Sequence, residues 1–336
     1  MHQSGDDGFA TDASTHPEVL IERAYGLLDV EVERIPRGYT ARCYSISRGA
    51  QTWVLKIWET GHPDSSSAGR RRSLRLIQEL IALRPNIRLP EPVATRRGSL
   101  TARVPGGGAA LYRFVSGGPA QVSHQAPDRL LETIGAAAAE IHSLTPRLTV
   151  AVADNRPADL QRIRWMRHAL SSLPELDGQP PARLIGVVTT RRMSILFEQL
   201  DRLRDLRRRL SPPGRQVLRH GDLQGDNLRV DGSLPLGVLD WDEAALDAPE
   251  REFGLFLLDG GRRVLDRVLN SYVRAGGVAA LDMERIELAA LERHLVDLAA
   301  RFERVLGADE QNAREALEDV ASWGLRRIDR LTQARS

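Results

Sequence analysis

The segment LRHGDLQGDNLRV concentrates reactive side chains at close spacing: His220, Gly221 and Asp222 stand together, and Asn227 follows Asp222 by five residues. Thirteen residues beyond Asn227, in PLGVLDWDEA, Asp240 closes a short apolar run, and Asp242 stands two positions further on. A carboxylate that can take a hydroxyl proton, beside oxygen ligands for Mg²⁺, is the equipment of phosphoryl transfer. On this reading Asp222 is the catalytic base, which must be ionised and near the attacking hydroxyl. Asn227 and Asp240 are the metal ligands, the amide supplying an oxygen without a further negative charge. His220 fits a supporting role, orienting the loop by hydrogen bonds to its backbone. Asp242 is open between a second metal or substrate contact and a solvated acid, and Asp226 reads as a turn residue.

The same chemistry needs a cation for the phosphates, and the composition singles one out. Of 47 basic residues, 46 are arginine and only Lys56 is lysine. Bias toward arginine is tolerated on a surface, where either side chain supplies a solvated charge. Arginine cannot replace lysine where a compact ammonium on a slim stem has to fit. Lys56 is therefore the candidate for contact with the α- and β-phosphates.

The elements that must position these residues can be read from periodicity. Residues 18–30 carry an amphipathic helical pattern, followed by strand-like alternation at 30–35, 42–47 and 51–58. Lys56 lies in the third strand, where alternation puts Val54, Lys56 and Trp58 on one face. Helical spacing returns over 71–84 and is closed by Pro85, and strand-like runs over 93–104 and 109–115 lead into the linker FVSGGPA. From Pro127 onward the pattern is helical, beginning with DRLLETIGAAAAEIHSL, except over 217–239. That interruption reads as one hairpin-like unit carrying the reactive residues. His142, in the alanine-rich helix, reads as a packed or interlobe histidine.

HGDLQGDN, the downstream LDWD, the strand lysine and IGAAAAEIHSL together resemble the aminoglycoside phosphotransferase and choline kinase-like family, over roughly residues 25–260. The resemblance implies an α+β, bilobal, protein-kinase-like fold: a small antiparallel-sheet N-lobe over 18–115 and a larger, mostly helical C-lobe over 116–336. Residues 1–17 read as a disordered tail, with neither the basic nor the apolar region of a secretion signal. The resemblance further implies ATP or GTP with Mg²⁺ between the lobes. The nucleotide would lie near the linker residues Tyr112, Phe114 and Val115, under a covering loop at Gly38 and Thr40. A hydroxylated small molecule would be held by the helical lobe. The family also pairs its strand lysine with a glutamate in the following helix. Here Ser73 or Arg72 falls near that place, and Glu79, one and a half turns later, is the available acid. Where the family often has an aspartate past the metal-binding one, DAPEREFG offers Glu252, read as structural.

For the acceptor, residues 151–220 hold fourteen arginines against seven acidic residues, which tilts the expectation away from polycations. The segment 240–259 holds seven acidic residues and one arginine, which keeps an aminoglycoside open. Candidates are an antibiotic or other natural product, a metabolite alcohol, or a serine or threonine of a biosynthetic precursor peptide. A catalytically silent nucleotide-binding scaffold is the rival from another class, opposed by the complete set of reactive residues. Nucleic-acid binding is suggested by a pI near 9.0, but a formal charge of +2 lacks the concentrated basic face it requires. No apolar run approaches the ~20 residues of a membrane helix, and the lone Cys43 fits a reducing cytoplasm.

Overall fold

The structure, a computed structural model, describes residues 16–36, 41–59, 67–152, 158–172, 192–212, 214–232 and 234–307, with Val320, Gly324, Arg327 and Leu331. The loop carrying Gly38 and Thr40 lies outside these residues, as does most of the segment 1–17. The chain forms two compact units. The first comprises residues 1–119, 146–152 and 227–244, and the second 120–145, 153–226 and 245–336.

The first unit opens with helix α1 (Pro17–Tyr25) and strands β1 (Glu31–Ile35), β2 (Arg42–Arg48) and β3 (Gln51–Glu59). The helix is shorter than its apolar pattern suggests because Gly26 turns left-handed (φ 70°) and its N–H caps the carbonyl of Glu22. Helix α2 (Ser67–Leu83) then leads to β4 (Pro92–Val93), β5 (Ala102–Val104) and β6 (Gly107–Arg113). These strands form one antiparallel sheet in the order β1-β2-β3-β6-β4, with β5 also paired to β6. Alternation along β3 divides its side chains between two layers. Trp53, Leu55 and Ile57 join Leu20 and Ile21 of α1 in one buried cluster, and Trp58 joins Leu74 of α2 on the opposite face. Each such burial contributes roughly 1.5–3 kcal/mol. The α2 face of the sheet thus receives Lys56, whose cross-strand neighbours are Cys43 and Ala110.

Residues 217–239 do not fold as a single hairpin. Strand β7 (Gly118–Pro119) pairs with β9 (Leu228–Val230), which pairs with β10 (Gly237–Val238), all in the first unit. Strand β8 (Val217–Arg219) instead pairs with β11 (Ala245–Asp247) in the second unit. A 3.6-versus-2 periodicity cannot tell which short strands find each other, and here the partners are non-sequential.

The second unit is otherwise helical: α3 (Asp128–Ser143), α4 (Leu160–Ser171), α5 (Met193–Arg209), α6 (Gly254–Arg274) and α7 (Met283–Leu306). Helix α3 packs closely on α6, and Gly135 makes that approach possible, since a Cβ there would lie 2.3 Å from the Val268 carbonyl oxygen. The small residues of IGAAAAEIHS therefore mark a helix-packing face.

Candidate active site

Strand β3 carries Lys56 to a position where its Nζ donates to Asp240 Oδ1 at 2.9 Å and to Asp242 Oδ2 at 2.6 Å. Both aspartates stand at the turn that follows β10. Asp240 itself adopts left-handed backbone angles (φ 56°), a conformation that costs a non-glycine residue about 1–3 kcal/mol and concentrates at functional positions. Between them Trp241 is buried and its Nε1 donates to the Val238 carbonyl at 3.1 Å, which locks the turn. Asn227 precedes β9, and its carbonyl accepts the Leu239 N–H at 2.8 Å. The β9–β10 pairing therefore brings Asn227 and Asp240 to the same end of the hairpin.

Glu79 does not meet Lys56. Its carboxylate accepts from Thr149 N at 2.6 Å, Thr149 Oγ1 at 2.6 Å and Val150 N at 3.0 Å, and these bonds draw its pKa down against the opposing desolvation. The resemblance offered Glu79 as the acid nearest to Lys56, but its register along α2 directs it to the 146–152 segment. The residue of α2 that reaches the lysine's surroundings is Arg70, which is 4% exposed, stacks 5.6 Å from the Trp58 ring and pairs with Asp242 Oδ2. Sequence reasoning missed it because α2 starts a turn before its apolar pattern does. Of the linker residues, Tyr112 is half-buried, its hydroxyl pushed up to about 12 by desolvation. Val115 is buried, whereas Phe114 is 49% exposed.

In the second unit, Asp222 Oδ1 accepts from Gln224 Nε2 at 2.7 Å and from Arg293 Nη2 of α7 at 3.3 Å. The Asp222 N–H donates to Nδ1 of His220, a fully buried ring, at 3.2 Å. The loop backbone is held from beneath by Glu252, whose two oxygens accept the N–H groups of His220 at 2.6 Å and Gly221 at 3.0 Å. Burial would raise the Glu252 carboxyl, but the contact with His142 and the basic side chains around it, His142, His220 and Arg219, bring it down to about 2. His142 is in turn fixed by Tyr272, Nδ1 to hydroxyl oxygen 2.8 Å. Glu252 was legible as an acid in an unexpected place, and its two backbone bonds give it a loop-holding function. Gln224 and Arg293 had no sequence signal; the second stands 71 residues on, in α7.

An antiparallel sheet with a lysine-bearing strand, a mostly helical second unit, and an HxDxxxxN loop followed by an aspartate-bearing turn define the protein-kinase-like phosphotransferases, α+β enzymes that move a phosphoryl group to a hydroxyl. The profile of the phosphotransferase enzyme family matches residues 31–289, and the chain belongs to that family. Solved structures agree on the fold. Spectinomycin phosphotransferase in complex with ADP and spectinomycin is 16% identical, with a TM-score of 0.75 over 95% of this chain and 97% of that one. Amicoumacin kinase in complex with AMP-PNP, Ca²⁺ and Ami is 14% identical, with a TM-score of 0.65 over 95% and 94%. A microcompartment-associated aminopropanol kinase is 15% identical, with a TM-score of 0.64 over 94% and 95%. No curated protein matches the sequence. Among the described residues no helix is long and apolar enough to cross a membrane.

Proposed function

We propose that this small-molecule kinase transfers the γ-phosphate of ATP or GTP, with Mg²⁺, to a hydroxyl of an antibiotic or other natural product. The observation that carries the reading is the meeting of the sole lysine with Asp240, 184 residues away in the chain, at an aspartate turn held in strained backbone. Lys56 would bind the α- and β-phosphates, exchanging part of its contact with Asp240 for phosphate oxygens. The donor set fits Mg²⁺. Asn227 offers an amide oxygen and Asp240 a carboxylate, and Mg²⁺ typically takes one or two protein oxygens and completes its shell with phosphates and water. Asn227 and Asp240 would hold the ion, which when bound offsets the negative charge of the phosphates. The base Asp222 takes the proton of the acceptor hydroxyl, oriented by Gln224 and Arg293, while Glu252 and His220 keep its backbone in place. Phe114, exposed beside half-buried Tyr112 and buried Val115, offers an aromatic surface for the nucleobase.

The ion pairs around Asp222 support a neutral or anionic acceptor over a polycation. Arg293 also pairs with Asp297 at 3.2 Å, and Arg327 pairs with Asp259 at 2.6 Å and approaches Asp297 at 3.8 Å. Carboxylates already matched by guanidinium groups offer little to an ammonium-rich ligand. The test is nucleotide turnover with Mg²⁺ across a panel of antibiotics and hydroxylated metabolites, with Asp222→Asn as control. Acceptor-dependent turnover should fall at least about a hundredfold in that variant, the low end of what a positioned base contributes. Turnover unchanged by Asp222→Asn would remove Asp222 as the base.

A further inference from the structure

Lys56 lies opposite α2, the helix from which a glutamate would ordinarily hold it. In this chain the residue that α2 contributes is a second cation, Arg70. The carboxylate comes from the aspartate turn instead: Asp242 Oδ2 receives Lys56 Nζ at 2.6 Å and, on the same oxygen, the guanidinium of Arg70. Asp240 takes the remaining contact of Lys56 at 2.9 Å. Two cations and two carboxylates thus form one cluster, in which the side chains of Lys56 and Arg70 are 12% and 5% exposed.

The two aspartates are not equivalent. Asp240 is the one assigned to the metal, so its contact with Lys56 is exchangeable when nucleotide arrives. Asp242 is tied from behind by Arg70, which is itself fixed over Trp58 at 5.6 Å and buried against the sheet. Asp242 is therefore the lasting anchor of the lysine. An arginine suits this place better than a lysine because its planar guanidinium can stack on an indole while pairing with a carboxylate. Burying a lone charge would be costly, and the pairing with Asp242 compensates it.

We infer that Arg70 is a positioning residue for nucleotide binding: it holds Asp242, and Asp242 holds Lys56 in line for the phosphates, replacing the helix glutamate by an arginine–aspartate–lysine relay. The inference rests on the phosphotransferase reading, through the role given to Lys56.

The experiment is a titration of the full-length protein with a fluorescent ATP analogue and Mg²⁺, without acceptor, which reads nucleotide affinity apart from turnover. Asp242→Asn and Arg70→Ala should each raise Kd about tenfold, within the range of coupling between contacting charged groups. The decisive comparison is the Lys56→Ala background, where Arg70→Ala should change Kd less than twofold because the residue acts through the lysine. A purely structural arginine would weaken binding equally in both backgrounds, and that result overturns the inference. If Arg70→Ala does not fold, Arg70→Lys serves. It keeps a charge for Asp242 but loses the stacking, and should give an intermediate Kd in the Lys56 protein and none of that loss in the Lys56→Ala background. Affinity unchanged by Arg70→Lys and by Asp242→Asn would overturn the relay while leaving the phosphotransferase reading standing. Failure of the unaltered protein to bind nucleotide would overturn both.

Discussion

At the scale of single residues, Lys56 shows how composition and geometry speak to the same atom. A chain that uses arginine at 46 of 47 basic positions keeps lysine where β2 and β6 flank the side chain with Cys43 and Ala110 and where another guanidinium, Arg70, already occupies the neighbouring space. A second planar guanidinium would displace the charge by more than the reaction tolerates, and a misplacement of about 1 Å can cost a hundredfold in rate. Lys56→Arg is accordingly expected to lose turnover by about that factor while its far-ultraviolet circular dichroism matches the unaltered protein. A fully active Lys56→Arg would show that charge alone suffices.

At the scale of elements, the loop carrying Asp222 depends on a support that its own sequence does not contain. Glu252, which closes the short helical turn before α6, accepts two consecutive N–H groups with its two oxygens. In Glu252→Gln one oxygen becomes an NH₂ group facing a backbone donor. A buried donor left without an acceptor costs about 1–3 kcal/mol. The variant should lose stability by that amount in urea unfolding and show a lower kcat with little change in KM for nucleotide. Unaltered stability and rate would mean that the loop holds itself. Glu79 makes the complementary point: a helix acid can be read in sequence as a partner for the strand lysine and still be turned by its register toward the N–H groups of Thr149 and Val150.

At the scale of the whole molecule, buried ionisable groups set how the folded state answers to acid. His294 of α7 is fully buried, neither ring nitrogen has a hydrogen-bond partner among the described residues, and burial, then the charges of Arg327 and Arg301, lower its pKa to about 3. The folded-state value lies below the unfolded one, about 6.5, so the unfolded chain binds the proton first. Stability is then lost as pH falls from about 6.5 towards 3, at up to about 1.4 kcal/mol per pH unit. Glu252, depressed to about 2, adds a second loss below its unfolded pKa, about 4.3. Between pH 6.5 and 5 the decline should be visibly shallower in His294→Leu, measured by urea unfolding at each pH. Parallel slopes for the two proteins would assign the acid sensitivity elsewhere.

What the amino-acid sequence determined by itself was local: the strand alternation that turns Lys56 to one face and the helix-rich second part, while the types and spacing of Asp222, Asn227 and Asp240 marked them as the candidate reactive set. These depend on residues near one another in the chain or on the joint improbability of several. What only the tertiary structure decided was pairing across distance. β8 chose β11 while β9 chose β10 and β7, residues 227–244 joined the first unit, Arg70 and not Glu79 came to the lysine's carboxylates, and Arg293 came to Asp222 from α7. Periodicity fixes which face of an element is apolar but carries no term for which remote element will cover it. Partners such as Arg70 and Arg293, two arginines among 46, become identifiable only when packing brings them to a carboxylate.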